Sequence, residues 1–333
     1  MKIKTYFIRE EKVLFEFLRA ELKKIFNEGD CVFIKLHMGE PGNKTFIPAS
    51  FTRQIVSILK GLGCKPTVFD SPVMYRSPRN NVKGYLKVAA DHGYTKENVG
   101  APIAISNESV PVKGKKMTYR IIKDLVDADG VLILSHVKGH QSSGMGGAIK
   151  NLGMGCVSKE TKAAIHEGGE PAYTSGCVEC GTCVENCPTE NIVIKNGRPY
   201  FNATWCSGCS NCAIVCPEKC IRPKLDVFDE MLSEAASIAF KHFKKSYSVN
   251  FLKYITQMCD CMSNPGPIIA DDIGFVCSAN PLSADIASMK IIEEETGRKD
   301  IFADANKKSS YEQIERGKEY FGEGGDISIE RHD

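Results

Sequence analysis

The segment Cys177-Val178-Glu179-Cys180-Gly181-Thr182-Cys183-Val184-Glu185-Asn186-Cys187-Pro188 is answered by Cys206-Ser207-Gly208-Cys209-Ser210-Asn211-Cys212-Ala213-Ile214-Val215-Cys216-Pro217. Both read C-x2-C-x2-C-x3-C-P, a spacing in which three thiolates of one run hold a [4Fe-4S] cluster and the fourth ligates the other cluster. A cubane needs four thiolates, and a short loop can wrap only three corners. The spacing therefore assigns Cys177, Cys180, Cys183 and Cys216 to one cluster, and Cys206, Cys209, Cys212 and Cys187 to a second. Gly176, Gly181 and Gly208 suit tight turns that aim backbone N–H groups at sulfur, and Pro188 and Pro217 close each loop. Between the runs, Ile192-Val193-Ile194-Lys195 and Arg198-Pro199-Tyr200-Phe201 flank Asn196-Gly197, a hairpin signal.

Two other readings of the cysteines fit less well. Zinc sites pair their ligands across longer gaps, whereas here a triplet-plus-one pattern occurs twice. Disulfides need an oxidising compartment. The chain has 333 residues, 42% hydrophobic and 25% charged, with a formal net charge of +2. That balance implies no broad field for nucleic acid or membrane. The first residues run straight into Arg9-Glu10-Glu11-Lys12 without the apolar core of a signal peptide, and no stretch approaches a membrane span. The expectation is a cytoplasmic protein of an anaerobic or micro-oxic cell.

Outside the cysteines the chain alternates helix and strand. Residues 11–28 place Val13, Leu14, Phe17, Leu18, Leu22, Ile25 and Phe26 on one stripe, and a strand follows at 31–36. Helices are predicted near 50–61, 81–92 and 121–126, with strands at 67–70, 103–105 and 131–134. Val131-Leu132-Ile133-Leu134 is apolar enough to be buried on both faces. Beyond the cysteines, 227–242, 247–258 and 284–296 read as helices, and 267–271 and 275–277 as strands. The tail from Gly322 to Asp333 reads as frayed. Repeated β–α alternation predicts a mixed or parallel-sheet α/β domain. It would span residues 1–171 and 225–333, interrupted by an inserted ferredoxin-like α+β 2[4Fe-4S] module at 172–224. Two independent α/β halves are the alternative; the small number of strands read in the C-terminal part favours one interrupted domain.

Ligands of open α/β sheets bind at the carboxyl ends of strands, so three loops attract notice. The first is His37-Met38-Gly39-Glu40-Pro41-Gly42-Asn43-Lys44-Thr45. The second runs from Ser135 to Asn151, where Gly144, Gly146 and Gly147 open a helix and would leave backbone N–H groups free for an anion. His136, Lys138, His140 and Lys150 crowd the same turn. The third runs from Cys259-Asp260-Cys261 to Asp271-Asp272. His37, Lys138 and His140 are the candidate catalytic residues; Gly144, Gly146, Gly147, Lys150 and Asn151 are the candidate cofactor-binding residues. His92 reads as a helix C-terminal residue, His166 as a residue in reach of either unit, and His242 and His332 as surface. Cys31, Cys64, Cys277 and Cys220 read as packing residues. Cys156, Cys259 and Cys261 read as core or as a metal or redox group.

The chain resembles the DUF362 family of ferredoxin-containing proteins of anaerobic bacteria and archaea. The resemblance is carried by His37 to Asn43, Lys138-Gly139-His140, Gly146 to Gly155, both cysteine runs, Cys259-Asp260-Cys261 and Asp272-Ile273-Gly274. It covers about residues 3–300 and implies an α/β domain interrupted by a 2[4Fe-4S] module, more distantly similar to nickel-pincer lactate racemases. It implies no settled substrate. Met145, Asn191 and Cys220 depart from its usual residues. The expected function is an iron–sulfur oxidoreductase relaying electrons between two [4Fe-4S] clusters and a small-molecule site that suits a flavin (FMN) or deazaflavin. A redox partner protein or a small-molecule acceptor is implied, and a homo-oligomer is compatible. The rivals are an electron carrier whose α/β domain only docks a partner enzyme, and a non-redox cofactor- or metal-handling protein with structural or sensory clusters. No G-x-G-x-x-G fingerprint follows a strand, which disfavours NAD.

Overall fold

A computed structural model describes residues 2–332. Its frame is an eight-stranded sheet in the order Ile327–His332, Ile3–Ile8, Gly274–Ser278, Ser246–Leu252, Gly130–His136, Cys31–Lys35, Lys65–Asp70, Ile103–Ile105. Only Gly274–Ser278 runs antiparallel to its neighbours; the other pairings are parallel. This is a mixed α/β fold with a large, mostly parallel sheet.

Gly130–His136 lies in the sheet interior and is buried at every position, as its apolar run requires. Side chains alternate across a strand, so Val131 and Ile133 join one apolar core while Leu132 and Leu134 join the core on the other face. The helix Glu11–Leu22 buries Leu14, Leu18 and Leu22 at four-residue spacing against the second core.

Residues 171–223 leave and rejoin the body at one place, because Pro171–Tyr173 pairs antiparallel with Ile221–Pro223. Within this segment, Ile192–Lys195 and Arg198–Phe201 form the predicted hairpin. Asn196 and Gly197 both take positive φ, as a two-residue primed turn demands. Its small core is largely sulfur: Cys183, Cys187, Cys212, Cys216 and Cys220 pack with Ile192 and Ile221.

Several expectations change. Residues 247–258 are not helical but form the strands Ser246–Leu252 and Ile255–Thr256. The signal was the alternation Tyr247-Ser248-Val249-Asn250-Phe251: the apolar residues pack into one core, and on the other side Asn250 donates to Asp285 and contacts Ser288. Residues 121–126 are divided between the strand Thr118–Ile122 and a short helix, Lys123–Asp127. The tail is not frayed: Ile327–His332 pairs in parallel with Ile3–Ile8, a strand the reading also missed. Asp333 lies outside the described residues. The stretch after the cysteines supplies three strands to the central sheet, more than its sequence suggested. Cys31 is exposed rather than core. His332 is not plain surface, since it packs on Tyr6 and Phe17.

Candidate functional site

A cavity of about 580 Å³ opens at the carboxyl ends of the parallel strands. Its wall takes Lys35 and His37 from the end of one strand, Asp70 and Ser71 from the next, and His136, Lys138 and His140 from the third. Lys150 and Asn151 come from the helix Ala148–Gly155, and Met258 to Met262 from the third loop. Cys206-Ser207-Gly208 of the second cysteine run completes the wall.

Asn151 ties the wall together. Its amide nitrogen donates to the Lys35 and Leu134 carbonyls at 3.2 and 3.1 Å and contacts Ser135 Oγ at 3.0 Å. Its Oδ1 accepts from Lys35 Nζ at 2.7 Å. Lys35 also pairs with Asp70 at 2.9 Å. Burial opposes ionisation of Asp70, but Lys35, His37 and Lys162 outweigh it and hold its carboxyl at about 2. Asn151 is therefore a positioning residue whose hydrogen-bonding capacity is used within the protein.

His37 faces donors on both ring nitrogens, the Gly39 N–H at 3.1 Å and the Arg79 guanidinium at 2.7 Å. Burial and Arg79 push its pKa well down, which makes it a neutral anchor within the protein. Arg79 is itself fully buried and clamped by Glu40, at 2.8 and 2.6 Å. Lys138 is committed as well: its ammonium lies 2.6 Å from Asp260 Oδ1, while Asp260 Oδ2 takes His136 Nδ1 at 3.0 Å. Burial works against the Asp260 charge, yet Lys138 and His136 hold its pKa far below the usual carboxylate range.

Two cations on the wall lack a carboxylate. Lys162 is held by Ser71 Oγ and the Pro72 carbonyl at 2.7 and 2.5 Å, and burial lowers it to about 7. Lys150 has no hydrogen-bond partner among the described residues, and burial lowers it to about 8. His140 keeps a defined tautomer. Its Nδ1 accepts the Ser142 and Ser143 N–H groups at 3.1 and 3.2 Å, so burial leaves it neutral with the proton on Nε2.

The glycine turn does not leave a free helix N-terminus. Asp285, from the helix Pro281–Thr296, accepts the Ala148 and Ile149 N–H groups at 2.7 and 2.9 Å. Gly147 is needed for that approach, since a Cβ there would lie 2.5 Å from Asp285 Oδ1. Gly144 and Gly146 belong to a hairpin strand paired with Lys138–His140. At Gly144, φ is +72° and a Cβ would press on the Ser309 carbonyl at 2.4 Å. Gly144 thus serves packing, and Gly146 and Gly147 line the cavity without offering the expected anion cradle.

The cysteines fall into two neighbourhoods. Cys177, Cys180, Cys183 and Cys216 line one small cavity, with Cys220 beside them and its sulfur 3.5 Å from that of Cys216. Among the thiols acting on Cys212, Cys209, Cys206 and Cys187 come first, with Cys183 of the other group after them. His166 joins the second group to the large cavity: its Nδ1 meets the Ser207 carbonyl at 2.7 Å, and its ring lies on the cavity wall. Gly208 permits this, since a Cβ there would lie 1.9 Å from the His166 carbonyl. Across the same wall, Cys259 and Cys261 are joined by a disulfide. Cys156 is separate from them, a core residue whose thiol burial pushes up to about 12.

Sequence reading missed Lys35, Asp70, Arg79 and Lys162. For three of them a signal is visible in retrospect: Lys35 and Asp70 end buried strands, and Arg79 sits in a loop that buries it completely, whereas Lys162 lies on the helix Lys159–Gly168 with no such mark.

The family described as domain of unknown function DUF362 matches residues 32–290. Ferredoxin-type protein NapG of Escherichia coli (strain K12) is 33% identical over 72 residues, covering 18% of this chain and 31% of NapG. Pyruvate synthase subunit PorD of Thermotoga maritima is 37% identical over 57 residues, covering 16% of this chain and 58% of PorD. The chain thus spans about a third of NapG and somewhat over half of PorD. Among solved structures, a Thermotoga maritima protein aligns with TM-score 0.42 at 11% identity, over 73% of this chain and 51% of that one. The lactate racemase apoprotein from Thermoanaerobacterium thermosaccharolyticum aligns with TM-score 0.39 at 11% identity, over 75% and 51%.

Proposed function

The chain belongs to the DUF362 family, and from that premise we propose that it is an iron–sulfur oxidoreductase whose cysteine segment passes electrons to or from a small molecule held in the large cavity. The donor sets fit two [4Fe-4S] clusters. Cys177, Cys180, Cys183 and Cys216 surround one space, and Cys206, Cys209, Cys212 and Cys187 neighbour one another, all as thiols. Such clusters supply one-electron transfer at potentials set by their surroundings. The similarity to NapG, a ferredoxin-type protein by name, supports the same reading. Residues 172–224 then act as an inserted ferredoxin-type relay.

The observation that carries the proposal is the shared wall. Cys206-Ser207-Gly208 and Lys150 face the same cavity, so a molecule bound there lies against the second cysteine group. The volume suits a small organic molecule. Lys150 and Lys162 favour an anionic one, and His140 Nε2–H can donate to it. His37, Lys138 and Asn151 are themselves tied into the wall by Arg79, Asp260 and Lys35. A flavin-type acceptor meets these demands. Val178 and Trp205, 62% and 69% exposed beside the two cysteine runs, give a redox partner protein an apolar place to dock.

Anaerobic reconstitution with iron and sulfide, followed by chemical analysis and electron paramagnetic resonance, tests the reading. The expected result is two clusters per chain, reducible by dithionite. An acid supernatant of freshly purified protein is expected to contain an organic two-electron acceptor whose binding Lys150→Ala weakens. Fewer than four irons per chain after reconstitution would overturn the proposal. So would a carrier that accepts electrons but binds no small molecule in the cavity.

A further inference from the structure

We infer that Cys259 and Cys261 form a redox-active disulfide–dithiol couple, a two-electron station on the chain itself between the cysteine-held clusters and the contents of the cavity. The inference rests on the iron–sulfur reading and adds to it a site for electron pairing. Two one-electron carriers need a partner that collects both electrons, and a disulfide is such a couple.

The geometry favours this role. The two sulfurs are bonded to each other, and both residues line the cavity that Cys206 also lines. The loop carrying them is fixed from several directions. The Asp260 carbonyl accepts the Glu40 N–H at 2.9 Å, and Asp260's carboxylate is anchored by Lys138 and His136. Asn43 Nδ2 donates to the Met262 carbonyl at 2.9 Å, and Tyr75 Oη to that of Cys261 at 3.3 Å. A pair held this firmly stays in place when its bond opens.

The step balances within named groups. Two electrons enter the Cys259–Cys261 bond, which breaks; two protons join the sulfurs, giving two thiols. The electrons come one at a time from the clusters, each oxidised by one electron, and an external low-potential donor of the ferredoxin class restores them. Lys150 stands on the same wall to deliver a proton, and solvent supplies the other and reprotonates Lys150.

A metal ion is the competing occupant, because ligand atoms of His140, Cys259 and Cys261 lie within 4.8 Å of one another. The His140 tautomer argues against it. The nitrogen with the lone pair, Nδ1, already accepts two backbone N–H groups. Metal-bound histidines show the reverse arrangement, donating their second nitrogen's proton to an acceptor.

The test uses the full chain with its clusters, handled anaerobically. Coulometric titration of the wild type is compared with Cys259→Ser/Cys261→Ser, and differential alkylation with mass spectrometry follows both cysteines. The expected wild type takes up two more electrons than the variant. Its Cys259 and Cys261 are unlabelled when oxidised and both labelled after reduction. Equal electron counts, free thiols in the oxidised protein, or a zinc or non-cluster iron lost in the variant would each overturn the inference. Cluster iron and sulfide, measured in the same samples, separate the two claims. Clusters present with equal electron counts remove only the cysteine pair, whereas absent clusters remove the iron–sulfur reading and the pair's role with it. Should the double variant fail to fold, Cys261→Ser alone supplies the same comparison.

Discussion

Asp260 Oδ1 lies 2.6 Å from Lys138 Nζ, with both side chains buried, and His136 stands on the other carboxylate oxygen at 3.0 Å. Breaking a buried ion pair strands the remaining charge, which costs about 3–5 kcal/mol. Asp260→Asn and Lys138→Met are each expected to lower stability by that order. The double variant should lose clearly less than the sum, because neither charge is then left alone. Denaturant unfolding of the four proteins measures this. Costs that simply add would show that the two groups are not coupled.

Asp285 caps the cavity helix from the side, accepting Ala148 N–H at 2.7 Å, Ile149 N–H at 2.9 Å and Asn250 Nδ2 at 2.8 Å. Asp285→Ala should cost about 2–4 kcal/mol, since three donors lose a charged partner in the interior. Gly147→Ala should cost about 1–3 kcal/mol by crowding the same carboxylate. In the Asp285→Ala background the Gly147→Ala substitution is expected to become nearly neutral. Gly147 has extended backbone, so no conformational penalty remains once the carboxylate is gone. A cost that persisted would mean the glycine serves something else.

Lys150 and Lys162, held by burial at about 8 and about 7, predict how pH acts on the empty protein. In the unfolded chain both titrate near the ordinary lysine value of about 10.4, so above pH 7 the unfolded state binds more protons than the folded state. Stability from this source therefore rises as pH climbs from about 7 towards 10. The slope is at most about 1.4 kcal/mol per pH unit for each lysine. Affinity for an anion should move the other way, falling as Lys150 loses its proton above pH 8. Thermal unfolding at pH 7 and pH 9, with and without inorganic phosphate, checks both signs. Lys150→Met should flatten the pH response and remove most of the phosphate effect.

The parts of this architecture that sequence revealed are those with short-range signatures. Two cysteine runs, an Asn196-Gly197 turn and an apolar Val131–Leu134 strand each carry their message within a dozen residues. The misreadings arise where long-range pairing decides. Tyr247 to Leu252 alternates cleanly, but its helical reading fails only once neighbours on both sides claim it as a strand. Ile327–His332 has nothing to hold it until Ile3–Ile8 is adjacent. At the site, His37, Lys138, His140, Lys150 and Asn151 do converge on one cavity. Their roles were not readable, because they depend on remote residues. Asp285 lies 137 residues from Ala148, and Asp260 122 from Lys138. Sequence spacing suggested an anion on the glycine turn; the fold puts a carboxylate there instead.

The crossed cysteine assignment makes the last prediction. Cys216 closes the second run in sequence yet lies with Cys177, Cys180 and Cys183, while Cys187 neighbours Cys206, Cys209 and Cys212. If each group holds one [4Fe-4S] cluster, Cys177→Ala and the double variant Cys216→Ala/Cys220→Ala should remove the same cluster and leave the same residual resonance spectrum. Cys187→Ala and Cys206→Ala should remove the other, and only the second pair should disturb the group on the cavity wall. Uncrossed ligation would instead make Cys216→Ala match Cys206→Ala. Cys220 adds a further discriminating case, since its sulfur lies 3.5 Å from that of Cys216 and can serve as a substitute ligand. Cys216→Ala is therefore expected to retain part of its cluster, and Cys216→Ala/Cys220→Ala to lose it, with iron content about half that of the wild type. Equal iron in the single and double variants would confine Cys220 to packing.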